Sequence, residues 1–268
     1  MQIKFWGVRG SIAVSGSGYM RTGGNTTCLE IRHQGQRLIF DGGTGIRSLG
    51  SQLPTTDDDF SIFFTHAPWD HIQGIPFFAP AFNKNSTIRM YGAPNLQSAI
   101  AAQMRPPIFP ITLDQIPANL VFETITTRRP IAVGPFIVEA MPVSHPNGVL
   151  AYRIRAGHRS VVFATDNELG AEINPELISF AADTDLLIHD AQYTDDEYTG
   201  RVGPSRRGWG HSSWESAVDL AQRAGAHQLA LFHHDPQRED SGVEQIERQA
   251  VARFSGSIAA REGMVLSI

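Results

Sequence analysis

The sequence predicts an α+β fold in which two β-sheets pack face to face with helices outside them, a four-layer αββα sandwich. The first half of the 268-residue chain is rich in short apolar or alternating runs, which are typical of strands. The second half mixes such runs with helical patterns. No linker-like change of composition divides the chain, so we expect residues 1–268 to form a single domain.

The predicted strands share a short apolar or alternating run that stops at glycine or at a polar residue. They span residues 1–7, 26–32, 36–40, 61–65, 87–91, 120–127, 136–142, 150–156, 160–164, 186–188 and 229–232. The second and third are expected to form a hairpin across His33, Gln34 and Gly35. The third stops at the glycine-rich stretch 41–45, where glycine permits a tight turn.

Three segments have the spacing of apolar residues that is typical of helices. They span residues 95–105, 214–224 and 242–254. The first ends before Pro106 and Pro107, because proline cannot continue a helix. The second follows Ser212 and Ser213 and has Glu215 in its first turn, a composition that favours a helix start.

The composition describes an ordinary globular protein, with 41% hydrophobic and 18% charged residues. The net charge of −5 argues against a large nucleic acid as partner. The single cysteine, Cys28, excludes an internal disulfide framework and fits a reducing compartment. No apolar stretch approaches the length of a membrane span. We therefore expect a cytoplasmic protein with no membrane contact, either a monomer or a homodimer.

A cluster of metal-ligand side chains follows the strand predicted at residues 61–65. His66, Asp70 and His71 lie within six residues, directly after an apolar run that ends in Phe64. Because the run predicts a buried strand, these side chains would leave the strand end together. Neutral imidazole and carboxylate groups are the ligands that zinc, manganese and iron use in proteins.

Four further predicted strands also end in residues of this type. These residues are His145, Asp166, His189 with Asp190, and His233 with His234. A lone histidine is more often a hydrogen-bonded polar residue than a ligand, but metal binding requires side chains from separate elements to converge. The recurrence at five strand ends therefore predicts a metal site at one edge of the fold.

The segment from His66 to His71 resembles the H-x-H-x-D-H signature of the metallo-β-lactamase-fold hydrolases. The resemblance runs from residues 5–10 (FWGVRG) to residues 232–236 (FHHDP) and is closest to the branch with phosphodiesterases and the tRNA 3′-end-processing nuclease. The chain departs from the signature at Pro68, where the family has its second histidine. Proline has no donor atom for a metal, so this ligand is absent. The resemblance implies the same four-layer αββα sandwich.

The resemblance also implies a grouping of metal ligands. Six residues match ligand positions of the family: His66, Asp70, His71, His145, Asp166 and His233. The set for the second metal is complete, with Asp166 as the carboxylate that bridges both metals. The first set retains only His66, His145 and the bridging Asp166. We therefore expect one or two divalent metal ions, zinc before manganese or iron, and a weaker first site.

Catalysis is assigned on the same resemblance to Asp70 and His211. His211 matches the histidine that the nuclease branch places on the scissile phosphate or the leaving group. An imidazole suits that work because its pKa lies near neutrality. A loop histidine that caps the following helix is the alternative. Asp41 and the pair His189–Asp190 are expected to hydrogen-bond the metal ligands without contacting the metal themselves.

The resemblance implies a metal-dependent hydrolase, most closely a phosphodiesterase in which a metal-bound hydroxide attacks phosphorus. The long insertion that grips tRNA is not visible, so we expect a small phosphodiester such as a cyclic nucleotide as substrate. Two alternatives stay open. One is a binding or regulatory protein whose activity Pro68 has weakened or removed. The other is a lactonase or thioesterase that uses the same site.

Overall fold

The computed structural model describes residues 1–53 and 59–268, and it confirms the predicted α+β sandwich. The strands are β1 (Gln2–Gly7), β2 (Cys28–His33), β3 (Gln36–Phe40), β4 (Asp59–Phe63), β5 (Thr87–Gly92), β6 (Asn119–Thr124), β7 (Ile131–Val133), β8 (Phe136–Val143), β9 (Val149–Ala156), β10 (Arg159–Ala164), β11 (Leu186–Asp190), β12 (Leu229–Phe232), β13 (Ser257–Ala259) and β14 (Val265–Ser267). The α-helices are α1 (Gly45–Ser51), α2 (Trp69–Ile72), α3 (Leu96–Gln103), α4 (Pro175–Phe180), α5 (Asp195–Thr199), α6 (Trp214–Ala224) and α7 (Asp240–Arg253). Short 3₁₀ helices lie at Ser17–Tyr19, Ile75–Phe77, Ala79–Phe82 and Leu113–Gln115.

The described strands form two mixed sheets of seven strands each. The first has the order β14-β1-β2-β3-β4-β5-β6, and the second has the order β13-β12-β11-β10-β9-β8-β7. Strands β3 to β6 run parallel in the first sheet, and β10 to β13 run parallel in the second. Strand β8 has the direction of β10, because both are antiparallel to β9. The carboxyl ends of parallel strands meet at one edge, which is where the segments after these strands gather.

Three apolar clusters hold the layers together. The cluster between the sheets includes Phe5, Phe40, Phe63, Phe163 and Phe232. Leu49 of α1 and Ile100 of α3 cover the outer face of the first sheet. Leu220 of α6 and Ile246 of α7 cover the outer face of the second sheet. The layer order is therefore helix, sheet, sheet, helix, as predicted.

The elements that the sequence analysis missed are short. Helices α1, α2, α4 and α5 have four to seven residues, and strands β7, β13 and β14 have three residues each. Helix α1 forms in spite of its glycines because Ile46 and Leu49, one turn apart, are both buried. The strand predicted to reach Thr65 ends at Phe63, since the Thr65 backbone amide and hydroxyl turn away to bond the Asp41 carboxylate at 2.8 and 2.9 Å.

Within the part of the chain that the structure describes, no helix is both long and apolar enough to cross a bilayer.

Tyr152 of β9 connects the two sheets close to the end of β4. Its fully buried ring lies 5.5 Å from the ring of Phe40 and 5.7 Å from the ring of Phe63, measured between centroids. Its hydroxyl donates a hydrogen bond to the carbonyl oxygen of Phe64. The second sheet therefore fixes Phe64, which follows β4 and lies two residues before His66.

The variant Tyr152→Phe keeps the ring and removes the hydroxyl, which leaves the buried Phe64 carbonyl without this donor. We expect the free energy of unfolding to fall by about 1–3 kcal/mol, measured by urea denaturation. The matched control is Tyr91→Phe, because the Tyr91 ring also packs on Phe63, at 4.4 Å, but its hydroxyl bonds no residue that the structure describes. Equal losses in the two variants would contradict the role given to the hydroxyl.

Candidate metal centre

The structure brings the predicted ligands together at one edge of the sandwich. The ligand atoms of Asp70, His71, Asp166 and His233 all lie within 4.8 Å of one another. The ligand atoms of His66, His145 and Asp166 lie equally close, so Asp166 belongs to both sets. The grouping implied by the resemblance is thus present in space, and metal binding by these residues stays a prediction.

The chain turns sharply where it delivers these side chains. Asp41 follows β3, Asp166 follows β10 and His233 follows β12, with φ angles of +60°, +52° and +59°. Such left-handed conformations are uncommon for residues other than glycine, and they occur often at functional sites. Asp70 and His71 instead lie on the one-turn helix α2.

Two hydrogen bonds set the orientation of histidine rings in the second set. Nδ1 of His71 lies 2.9 Å from Oδ2 of Asp41, and Nδ1 of His233 lies 3.0 Å from Oε1 of Gln192. When Nδ1 donates to these oxygens, Nε2 of each neutral ring keeps a free lone pair. Both Nε2 atoms lie 3.2 Å from Oδ2 of Asp166. The two rings therefore present acceptor nitrogens to the shared carboxylate.

The buried polar atoms of the centre fit a cation. Nε2 of His66 and Nε2 of His71 are buried and have no hydrogen-bond partner among the described residues. They lie 3.7 and 3.2 Å from the carboxylate oxygens of Asp166. Buried carboxylates and unpaired nitrogens are costly unless a charge or a hydrogen bond compensates them. A donor set of imidazoles and carboxylates is the one that binds zinc, manganese and iron.

The electrostatics of the centre also favour positive charge. Burial lowers the pKa of His66 well below its usual value, so its imidazole is neutral, as metal binding requires. Burial lowers the pKa of His71 too, but the carboxylates of Asp166, Asp70 and Asp41 outweigh it and raise that pKa well above its usual value. Without a metal, a proton on His71 supplies the charge that these carboxylates need.

The donor atoms of the first ligand set are less well arranged for metal binding than those of the second set. Pro68, at φ −64° and ψ 163°, offers only its carbonyl, which accepts a hydrogen bond from the His71 amide at 3.0 Å. His145 is only partly buried, and its Nδ1 lies 3.3 Å from the amide nitrogen of Asn147. Accepting that hydrogen bond places the ring proton on Nε2. These contacts agree with the expectation of a weaker first site.

His211 lies beside the ligands and is held by a carboxylate. Its Nδ1 lies 2.8 Å from Oδ2 of Asp190 and 3.9 Å from Oδ1 of Asp166, and its ring stacks on His233 with centroids 4.9 Å apart. Burial lowers the pKa of His211, but Asp190, Asp166 and Asp70 outweigh it and raise the pKa to about 9. The ring is therefore protonated at neutral pH and can donate a proton.

The two members of the pair His189–Asp190 have different contacts in the structure. Asp190 does contact the centre, through His211. His189 is turned away: its Nε2 bonds the Asn167 side chain at 3.0 Å, and its Nδ1 bonds the Asp190 carbonyl at 2.8 Å. Two contacts to the ligands were missed, the one from Gln192 to His233 and the hydrogen bond from the Ser11 amide to the Asp70 carboxylate at 2.8 Å. A backbone donor in a glycine-rich loop leaves no signal in the sequence.

Comparison with known proteins assigns the chain to a family. Residues 36–234 match the family model of the beta-lactamase superfamily domain, so the chain belongs to this family. Ribonuclease Z of Haloarcula marismortui is 23% identical, over 98% of this chain and 96% of its own length. The metallo-β-lactamase-fold protein YhfI of Bacillus subtilis has a TM-score of 0.74 at 20% identity, with 99% and 98% of the two chains covered. Zn²⁺-bound PqqB of Methylobacterium extorquens has a TM-score of 0.77 at 15% identity over the whole of both chains.

These findings confirm the family and the fold that the motif from His66 to His71 predicted. Together with the cluster of histidines and aspartates, they support a metal-dependent hydrolase. The choice of substrate, metal and catalytic residues is a separate question.

The variant Asp41→Asn tests the support behind His71. Asparagine tolerates the φ of +60° at this position and has nearly the same shape, so the fold should be retained. Because the amide is a weaker acceptor for His71 Nδ1, we expect metal affinity to fall by about 10- to 100-fold, measured by competition with a chromophoric chelator. The control is Asp240→Asn, a buried aspartate that accepts hydrogen bonds from the amides of Arg21 and Thr22. Unchanged affinity in Asp41→Asn would refute the role of Asp41.

Proposed function

We propose that this chain is a metal-dependent phosphodiesterase that acts on a small phosphodiester such as a cyclic nucleotide. The observation that carries the proposal is the position of His211, whose imidazole is hydrogen-bonded to Asp190 and lies within 4 Å of the Asp166 carboxylate. The relative named ribonuclease Z supports phosphorus as the centre of attack, because RNA is a phosphodiester. The net charge of −5 supports a small substrate over a long nucleic acid.

The proposed site holds the metal through the two ligand sets. The second set is Asp70, His71, Asp166 and His233, and the first is His66, His145 and Asp166. Zinc is the proposed metal, because mixed imidazole and carboxylate donors suit it. A divalent ion bound there would supply Lewis acidity and would lower the pKa of water toward 7.

The protein's own groups then have distinct tasks. Asp70, which we propose as a catalytic carboxylate, is oriented by the Ser11 amide and lies 3.4 Å from Nε2 of both His71 and His233. His211 donates its proton to the oxygen of the leaving group. Asp190 keeps His211 charged until that step and fixes the direction of the ring.

The variant His211→Ala removes the proton donor and leaves both ligand sets in place. We expect turnover of bis(4-nitrophenyl) phosphate to fall by about 10²- to 10⁴-fold, with the metal content unchanged by atomic emission. The matched control is His227→Ala, because His227 is largely exposed and outside the centre. Loss of bound metal in His211→Ala would make His211 a ligand and would exclude the proposed role.

The variant Pro68→His restores the ligand type that the family signature has at this position. A φ of −64° suits histidine as well as proline, so helix α2 should still form. We expect higher metal occupancy of the first set and faster hydrolysis of bis(4-nitrophenyl) phosphate, with metal content and rate measured on the same preparation.

Two results of that experiment would change the proposal. If the natural protein already binds two metals stoichiometrically, the first set is not depleted and the argument from Pro68 fails. If Pro68→His gains metal but no activity, a binding or regulatory role becomes the better account of the natural chain. Pro68 and the hydrogen bond from the Asn147 amide to Nδ1 of His145 are the observations that favour this second candidate.

A further inference from the structure

The segment before His211 lies directly against the first ligand set. Gly210 is buried with a φ of +92°, and a Cβ atom at this position would lie only 2.1 Å from Cδ2 of His145 and 2.6 Å from its Nε2. Consecutive Cα atoms are about 3.8 Å apart, so the backbone of Trp209 lies next to this contact. Trp209 is 53% exposed. The segment that carries Trp209 therefore borders the site.

A single carboxylate fixes the backbone on both sides of Trp209. Oε1 of Glu168 accepts a hydrogen bond from the Gly208 amide at 2.7 Å, and Oε2 accepts one from the Gly210 amide at 2.9 Å. The hydroxyl of Tyr198 donates to Oε1 at 2.7 Å. Glu168 is itself anchored, because its amide bonds the carbonyl of Ser144 at 2.8 Å. Because the backbone on both sides of Trp209 is fixed, a ligand that stacks on this indole would lose little conformational freedom of the loop on binding.

The same loop carries positive charge. The guanidinium of Arg206 lies 4.8 Å from the centre of the Tyr193 ring, and the Tyr193 ring lies 6.0 Å from that of His211. Nη1 of Arg206 is buried and has no partner among the described residues. Arg207 is exposed on the next position. A loop that carries an indole and two arginines suits a ligand that has both a flat ring and a negative charge.

We propose that Trp209 is a specificity-determining residue, whose indole stacks on an aromatic group that stays attached to phosphorus. The inference rests on the proposed phosphodiesterase function and gives it a substrate class, the phosphodiesters of nucleosides or similar flat groups. In this proposal His211 faces the leaving group, and Trp209, which precedes Gly210 in the chain, contacts the group that stays on phosphorus. Glu168 is a positioning residue that acts through the backbone of the loop.

The test compares two esters with the same leaving group. Thymidine 5′-(4-nitrophenyl phosphate) carries a base on the retained group, and methyl 4-nitrophenyl phosphate does not. We expect Trp209→Ala to raise KM for the thymidine ester by about 5- to 100-fold, with kcat little changed and both constants for the methyl ester unaltered. Trp209→Phe should restore most of the loss, because phenylalanine also stacks.

Two further variants separate stacking from structure. Glu168→Gln replaces a carboxylate that accepts from three donors by an amide with a single acceptor oxygen, so it should raise KM for the thymidine ester alone. Phe82→Ala is the control, because Phe82 is an exposed aromatic residue on an element that carries no ligand, the 3₁₀ helix Ala79–Phe82. An equal rise of KM for both esters in Trp209→Ala, or the same loss in Phe82→Ala, would overturn the proposal.

A binding measurement separates this inference from the proposed function. Calorimetry with thymidine 5′-monophosphate should show binding that weakens at least about fivefold in Trp209→Ala. If neither ester is hydrolysed but this dependence on Trp209 holds, the phosphodiesterase function fails and the stacking role stands. If the esters are hydrolysed and Trp209→Ala binds the nucleotide as the natural protein does, the stacking role fails alone.

Discussion

The candidate centre depends on one electrostatic constraint, the enclosure of the His71 imidazole by three buried carboxylates. Asp41 contacts Nδ1 of the ring, while Asp70 and Asp166 face Nε2. These groups come from both sheets, so their charges bring the two sheet edges together only if positive charge lies between them. Uncompensated carboxylates at such depth would oppose folding. Removing the positive charge from between them would therefore disturb the closure of the sandwich as well as its chemistry.

Packing elsewhere in the fold holds these charged groups in place, although the backbone around them is strained. Three of the residues around the centre hold left-handed backbone conformations, each costing on the order of 1–3 kcal/mol: Asp41, Asp166 and His233. The aromatic packing between the sheets keeps the strand ends in register, with the Phe40 ring in contact with the rings of Phe63, Tyr152 and Phe163. The backbone strain is thus concentrated at the edge of the sandwich where the ligand side chains converge. The stabilising aromatic contacts lie between the two sheets.

The sequence predicted those parts of the molecule that depend on local pattern. Apolar runs located most strands, and the helix over residues 214–224 appeared with its predicted bounds because Ser213 caps it and one face is apolar. Ligand types at strand ends, read with the family motif, identified all the side chains that gather at the centre. The hydrogen bonds of Glu168 to the Gly208 and Gly210 amides and the contacts of Gln192 and Ser11 had no such signal. They link residues 40 to 59 positions apart, and nothing in a residue's own neighbourhood reports so distant a partner.

The span between the ligands has a consequence for how the molecule matures. Oδ2 of Asp70 and Nε2 of His233 lie 3.4 Å apart, although the two residues are 163 positions apart in the chain. A nascent polypeptide therefore lacks the second ligand set until His233 has left the ribosome, and the early motif cannot capture an ion in this geometry on its own. Once formed, a bound ion would close this very long loop and would stabilise the native state in proportion to the logarithm of free metal concentration. Metal supply would then govern how long the finished protein persists.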